Sequence, residues 1–155
     1  MKMFNKRIKI MDIDTGSLVW IEFGETKHLF YEKMKTELKT EFFSLDDCFY
    51  GINLKHEFSY LHMGVMISNK YNKVVAVVPI TEFKEDDIDY PESNIILEKN
   101  DFGLNLIKKS TIKLDQLRFI DKTRIIKVER KFISKSLKSL LENKLQKLFS
   151  LTKRY

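Results

Sequence analysis

Two apolar runs separated by a short polar segment are the feature that most constrains how this 155-residue chain can fold. Residues 63–67 and 74–80 are rich in Val, Ile and Met, the composition that β-structure favours. The polar segment between them is short enough for a hairpin turn. A hairpin places the start of its first strand beside the end of its second. The pattern therefore predicts that His62 and Thr81, at those two positions, face one another.

The composition is typical of a single domain with a core of its own. The chain is 43% hydrophobic and 32% charged. No apolar run approaches the roughly 18 residues that span a bilayer. The basic segment 1–7 is not followed by the apolar stretch of a signal peptide, and the single Cys48 excludes an internal disulfide. We expect a cytoplasmic protein without a membrane partner.

Charge is distributed unevenly along the chain. Residues 1–103 contain 13 Lys/Arg against 18 Asp/Glu, a balance of −5, whereas residues 104–155 contain 15 against 4, a balance of +11. A concentrated positive field of this kind attracts polyanions such as nucleic acid. A solvated basic helix without any ligand would give the same count, so charge alone leaves both interpretations open.

The remaining sequence predicts a mainly β (α+β) fold of short strands. A strand is expected over 16–24, and alternation divides its side chains between two faces. Leu18 and Trp20 lie on one face, and Val19, Ile21 and Phe23 lie on the other. Further short strands are expected at 94–97, 104–108 and 124–128, and residues 110–121 mix strand alternation with a turn.

Two helices complete the expected fold. Apolar residues recur at helical spacing over 26–40, and a leucine stripe marks a C-terminal amphipathic helix over 134–151, with Ser134 as its N-cap. The stripe comprises Leu137, Leu140, Leu141, Leu145 and Leu148. The expected architecture is one domain over 1–155, a small and partly open β-barrel with peripheral helices.

Three blocks of the chain resemble the MazF/PemK family of toxin endoribonucleases. Residues 16–24, Gly-Ser-Leu-Val-Trp-Ile-Glu-Phe-Gly, resemble the family's opening Gly-Asp-Val-Tyr-Trp-Ala-Asp-Leu-Gly. The two strands of the hairpin, 62–69 and 74–81, resemble its Arg-Pro-Val-Leu-Val-Ile-Gln-Asn and a following strand that ends in Ile-Thr. Residues 114–125, Leu-Asp-Gln-Leu-Arg-Phe-Ile-Asp-Lys-Thr-Arg-Ile, are similar to its Leu-Glu-Gln-Ile-Arg-Thr-Ile-Asp-Lys-Ser-Arg-Leu.

The resemblance implies an SH3-like, MazF-like barrel that forms a homodimer and cleaves single-stranded RNA without a metal. It also implies an antitoxin partner that blocks the RNA groove, and roles in growth inhibition and phage defence. Residues 26–50 form an insertion relative to the family. The family's catalytic Arg is replaced by His62, whereas its Thr is kept as Thr81. Related barrel toxins that are neutralised by a structured RNA also lack this Arg motif, so the resemblance leaves both a protein and an RNA antitoxin open.

RNA cleavage needs proton transfer and donors that hold the charge developing on phosphate, which identifies the candidate residues. His62 suits proton transfer near neutral pH, and the Thr81 hydroxyl can donate to a phosphate oxygen. Ser59 and His56, in the adjacent loop, are the other catalytic candidates. The candidate RNA contacts are Lys55, Glu57, Tyr60, Trp20, Arg118 and Arg124.

Each candidate also has a purely structural interpretation. His62 could be a half-buried histidine at a strand end, and Trp20 could belong to the core. Arg118 and Arg124 could form ion pairs with Asp115 or Asp121. Neither metal-ligand spacing nor a phosphate-binding glycine motif is recognisable, so we expect no metal and no cofactor. The alternative function is a non-catalytic barrel toxin or an RNA-binding module that acts by binding a protein or RNA target.

Overall fold

The computed structural model describes residues 14–24, 61–68, 73–130 and 132–149. The predicted helix at 26–40, the predicted insertion at 26–50 and five candidate site residues lie outside the described residues. Those five are Lys55, His56, Glu57, Ser59 and Tyr60.

One antiparallel sheet of seven strands dominates the described part of the chain. Its strands are β1 (Leu18–Glu22), β2 (Leu61–Met66), β3 (Val74–Glu82), β4 (Asn94–Leu97), β5 (Ser110–Lys113), β6 (Arg118–Asp121) and β7 (Ile125–Arg130). Hydrogen bonding links them in the order β4-β5-β3-β2-β1-β7. β6 also pairs with β3: β5 pairs with residues 80–82 of β3, and β6 pairs with residues 74–77. The sheet does not close on itself, which confirms the predicted mainly β, partly open architecture.

The C-terminal helix forms as predicted and is named α1 (Lys135–Leu148). Ser134 is its N-cap, because the Ser134 hydroxyl accepts a hydrogen bond of 3.2 Å from the Leu137 amide. Leu137 and Leu141 are fully buried, and the other leucines of the stripe are partly buried against the same core. The predicted leucine stripe therefore packs α1 onto the sheet. The helix ends at Leu148, three residues before the predicted end.

The strand predicted at 104–108 is wrong. This segment is a loop in which Leu104 and Leu106 are buried and Asn105 adopts a left-handed conformation, with φ of 52°. Buried and exposed residues alternate here as they would in a strand, but the segment is a bent loop that packs both leucines into the core. The predicted strand at 94–97 is confirmed, and the one at 124–128 lies at Ile125–Arg130.

The two faces of the sheet carry two separate hydrophobic clusters. The helix-side core contains Leu18, Val65, Val78, Ile80, Ile112, Leu137 and Leu141, among others. The far-side core contains Val19, Ile21, Phe23, Met66, Val75, Val77, Ile120 and Ile125. Strand alternation produces the division because neighbouring side chains point to opposite faces. The predicted division of β1 between two faces is therefore confirmed.

Gly64 allows β1, β2 and β3 to pack closely at the far-side face. A Cβ atom at this position would lie 2.7 Å from the Ile21 Cδ1 atom and 3.0 Å from the Val78 carbonyl oxygen. Any larger residue would therefore displace the strands. Gly64 lies two residues after His62 on the same face, so this close packing also fixes the position of the His62 backbone.

Candidate active site

The two strands that carry the principal candidates, His62 and Thr81, pair with each other as the sequence predicted. β2 and β3 pair antiparallel with Met63 opposite Ile80 and Gly64 opposite Pro79. One further step of this register places His62 opposite Thr81. Alternation puts both on the far-side face, whereas Met63 and Ile80 belong to the helix side.

Phe23 supports the His62 side chain from β1. His62 is half-buried, and its ring centroid lies 6.3 Å from that of Phe23, with the two ring planes tilted by 60°. Phe23 is only 2% exposed and belongs to the far-side core. The imidazole therefore rests beside a buried aromatic ring, and its position is limited by core packing.

Arg118 approaches the same ring from β6. Its guanidinium carbon lies over the Phe23 ring, 5.8 Å from the centroid, a cation–π geometry. β6 pairs with β3 so that Arg118 is opposite Val77, which places it on the far-side face. Because His62 and Arg118 contact one ring, the imidazole and the guanidinium carbon lie no more than about 12 Å apart.

Arg124 lies at the end of β1 that is next to Phe23. The Arg124 Nη1 atom donates a hydrogen bond of 3.3 Å to the carbonyl oxygen of Glu22, the residue before Phe23. Asp121 accepts hydrogen bonds from the amide and hydroxyl of Thr123, and these bonds, with the charge of Arg124, hold the pKa of Asp121 below its usual value. The charge of Arg124 therefore acts on Asp121, and its role as an RNA contact stays a prediction.

Two threonines that face each other across β3 and β5 have different surroundings. Thr81 pairs with Thr111 in the ladder. The Thr111 hydroxyl is fully buried and donates a 2.6 Å hydrogen bond to the Asp87 Oδ2 atom. Thr81 is half-buried, and within the described residues no protein group hydrogen-bonds its hydroxyl. The Thr81 hydroxyl is therefore the one of the pair that can meet a ligand.

Asp87 stabilises the sheet beside this site. Burial opposes ionisation of its carboxylate, but hydrogen bonds from the Lys113 and Thr111 side chains and from the Lys84 amide outweigh burial and lower its pKa. The Asp87 carbonyl also accepts a hydrogen bond from the Asn94 side chain. Sequence reasoning missed this cluster because Asp87 stands in a run of acidic residues that looks uniformly solvated.

Trp20 lies on the helix-side face, away from His62. Its Nε1 atom donates a 3.1 Å hydrogen bond to the Glu129 Oε2 atom, and it lines a surface groove of about 460 Å³. Hydrogen bonds from Lys127 and Trp20 lower the pKa of Glu129. The sheet separates Trp20 from the group around Phe23, so these predicted site residues fall on two surfaces.

In the part of the chain that the structure describes, no group of three or more His, Cys, Asp and Glu side chains is arranged to hold a metal ion. No described helix is long and apolar enough to cross a membrane.

Comparison with known proteins points to one type of protein. A family model described as PemK-like, MazF-like toxin of type II toxin-antitoxin systems matches residues 51–149. Among solved structures, the chain is similar to the crystal structure of MazF (Form-I) from Deinococcus radiodurans, with a TM-score of 0.51 and 15% identity. That alignment covers 88% of this chain and 96% of the other. No curated protein sequence matches.

Proposed function

The chain belongs to the family of PemK-like, MazF-like toxins of type II toxin-antitoxin systems, and on that basis we propose that it is a metal-independent endoribonuclease. Its substrate is single-stranded RNA, which it cleaves to a 2′,3′-cyclic phosphate and a 5′-hydroxyl. Members of this family are generally endoribonucleases. The observation that carries the proposal is the β2–β3 pairing, in which Met63 lies opposite Ile80, so that the residues next to this pair, His62 and Thr81, stand at the same end of the two strands.

The proposed chemistry uses the nucleophile that RNA itself carries. A base removes the proton of the 2′-hydroxyl, the 2′-oxygen bonds to phosphorus, and the bond from phosphorus to the 5′-oxygen breaks. An acid then supplies a proton to the leaving 5′-oxygen. His62 acts as one of these proton-transfer groups, and His56 is the alternative or the second group. Glu57 could orient a histidine, and Ser59 and Tyr60 are further donors.

The proposed phosphate contacts come from the cations near Phe23 and from the Thr81 hydroxyl on the same face of the sheet. Arg118 and Arg124 provide the positive charge that holds an anionic phosphate, and Thr81 donates from its hydroxyl. Lys55, a few residues before β2 in the sequence, is a further proposed phosphate contact. Donors already oriented where charge develops stabilise the transition state more than water does, because they need no reorganisation.

The proposed partners follow from family membership. Toxins of this family bind a cognate antitoxin as well as RNA and are typically dimers, so we propose a homodimer that is neutralised in the cytoplasm. The type II description of the matching family favours a protein antitoxin over a structured RNA. The neighbouring genetic sequence distinguishes the two, because a short reading frame encodes a protein and a tandem nucleotide repeat encodes an RNA.

A non-catalytic toxin is the second candidate function. The observation in its favour is that His62 stands where the family usually carries its catalytic Arg. Such a protein would inhibit growth by binding a protein or RNA target on the same surface. Toxicity without new RNA ends supports this candidate, and RNA cleavage by the pure protein excludes it.

Incubation of the pure protein with defined RNAs in EDTA tests the proposal, with the new ends mapped chemically. We expect cleavage in EDTA, and we expect His62→Ala and Thr81→Ala to abolish it while the fold survives. Thr111→Val is the matched control, because Thr111 faces Thr81 in the ladder but bonds only to the protein. It should lower stability and leave the cleavage rate of the folded protein unchanged. Wild-type rates in both His62→Ala and Thr81→Ala would contradict the site assignment.

A further inference from the structure

We infer that Phe23 is a positioning residue that aligns His62 and Arg118 on the same phosphodiester. This inference rests on the proposed function. His62 comes from β2 and Arg118 from β6, two strands that are not hydrogen-bonded to each other. Phe23, just after β1, contacts both side chains. One aromatic ring is therefore a shared support for a proton-transfer group and a cation from different parts of the sheet.

The burial of Phe23 determines how it can act. At 2% exposure, its ring cannot offer a face on which an RNA base could stack. Any effect of Phe23 on cleavage must therefore pass through the residues that it contacts. The close packing of Ile21 against Gly64, next to the pairing of Ile21 with His62, fixes β1 relative to β2. The Phe23 ring therefore has a fixed position, from which it can limit the motion of His62 and Arg118.

Of the two side chains, Arg118 should be the more strongly ordered by the Phe23 ring. An arginine side chain has many rotamers, and a ring beneath the guanidinium reduces the number that it occupies. A fixed guanidinium can meet the transition-state charge on the phosphate, while His62 exchanges a proton with the attacking 2′-oxygen or the leaving 5′-oxygen. Misplacement of about 1 Å at a catalytic group can cost roughly 100-fold in rate. Loss of the ring should therefore slow the chemical step while the positive charge that attracts RNA remains.

Phe23→Leu tests the inference, since it keeps an apolar side chain and removes the ring. We expect kcat to fall about 10- to 100-fold, in line with the cost of misplaced catalytic groups, and KM to change less than about threefold. Phe23→Tyr keeps the ring and should retain most of the wild-type kcat. Val75→Ala is the control for simple core damage, because Val75 is fully buried in the same far-side core and pairs with Ile120 rather than with Arg118.

The control separates positioning from packing. Val75→Ala should lower the melting temperature and leave kcat of the folded protein unchanged. Equal losses of kcat in Phe23→Leu and Val75→Ala would overturn the inference, as would a Phe23→Leu enzyme with wild-type kcat. A rise in KM without a fall in kcat would also overturn it.

A measurement that needs no activity separates this inference from the proposed function. NMR of the wild type should show nuclear Overhauser contacts from the Phe23 ring to both the His62 imidazole and the Arg118 side chain. In Phe23→Leu, both side chains should show shifted resonances and greater rotamer averaging. Absence of the contacts in the wild type overturns the inference even if RNA is cleaved. Their presence in a protein that cleaves no RNA leaves the support geometry intact and contradicts the proposed function.

Discussion

The two faces of the sheet use the same strands for different purposes. On the helix side, alternate residues of β1, β2 and β3 meet α1 in an apolar core. On the far side, the intervening residues form a second apolar core, and His62 and Arg118 contact its buried Phe23 ring. A single step along a strand therefore separates a residue that stabilises the fold from one that is available for chemistry.

This contrast is sharpest within the hairpin. Met63 and Ile80 form a ladder pair whose side chains pack in the helix-side core. Their neighbours, His62 and Thr81, project to the other face at the ends of the same strands. The comparison teaches that stability and activity should respond separately to substitutions at adjacent positions, and the predictions below test that separation.

The largest expected effect is on activity, at His62. His62→Ala should reduce RNA cleavage by roughly 10²- to 10⁴-fold, the usual contribution of general acid–base catalysis, with little change in melting temperature. The wild-type rate should also change with pH near the imidazole pKa of about 6.5. Met63→Leu is the matched control and should leave the rate unchanged. A wild-type rate that ignores pH between about 5 and 8 would count against imidazole chemistry.

The next effect is on stability, at Leu141 in α1. Leu141 is 2% exposed in the helix-side core, so Leu141→Ala should lower the free energy of unfolding by about 2–5 kcal/mol. Chemical denaturation measures this change. The kcat of the folded variant should match that of the wild type. A loss of kcat that exceeds the loss of folded protein would show that the two faces are coupled.

A smaller effect, dependent on pH, is expected at Asp87. Its pKa is lowered in the folded state, so its contribution to stability is present above the unfolded pKa of about 3.9 and is lost as pH falls through the folded value. Asp87→Asn should cost roughly 1–3 kcal/mol at neutral pH, and the difference from the wild type should shrink below about pH 4. The neighbouring Asp86 is exposed, so Asp86→Asn is the control. A constant difference across this range would show that the Asp87 charge is not responsible.

The smallest effect is expected at Trp20. Trp20→Phe removes an exposed hydrogen bond to Glu129 and should cost less than about 1 kcal/mol. Because Trp20 and His62 lie on opposite faces, KM for RNA should be unchanged. Fluorescence anisotropy with labelled RNA measures the affinity. Weaker binding in Trp20→Phe would mean that RNA passes over both faces and would support the sequence-based prediction of a Trp20 contact.

Local patterns predicted the elements but only part of the candidate site. The hairpin, the two faces of β1 and the capped helix were predictable because each depends on residues close together in the chain. The same reasoning failed at Leu104 and Leu106, where a bent loop reproduces the alternation of a strand. It also gave no reason to distinguish Asp87 from its acidic neighbours, since the Thr111 and Lys113 partners come from a distant strand.

The sequence by itself determined that the strands carrying His62 and Thr81 pair as a hairpin, because a short connection leaves little freedom in the pairing of its strands. Only the tertiary structure decided that Phe23 lies beneath both His62 and Arg118 and that Trp20 lies on the other face. The physical reason is sheet order. β6 pairs with β3 while β1 pairs with β2 and β7, an arrangement set by long-range packing that no local periodicity encodes.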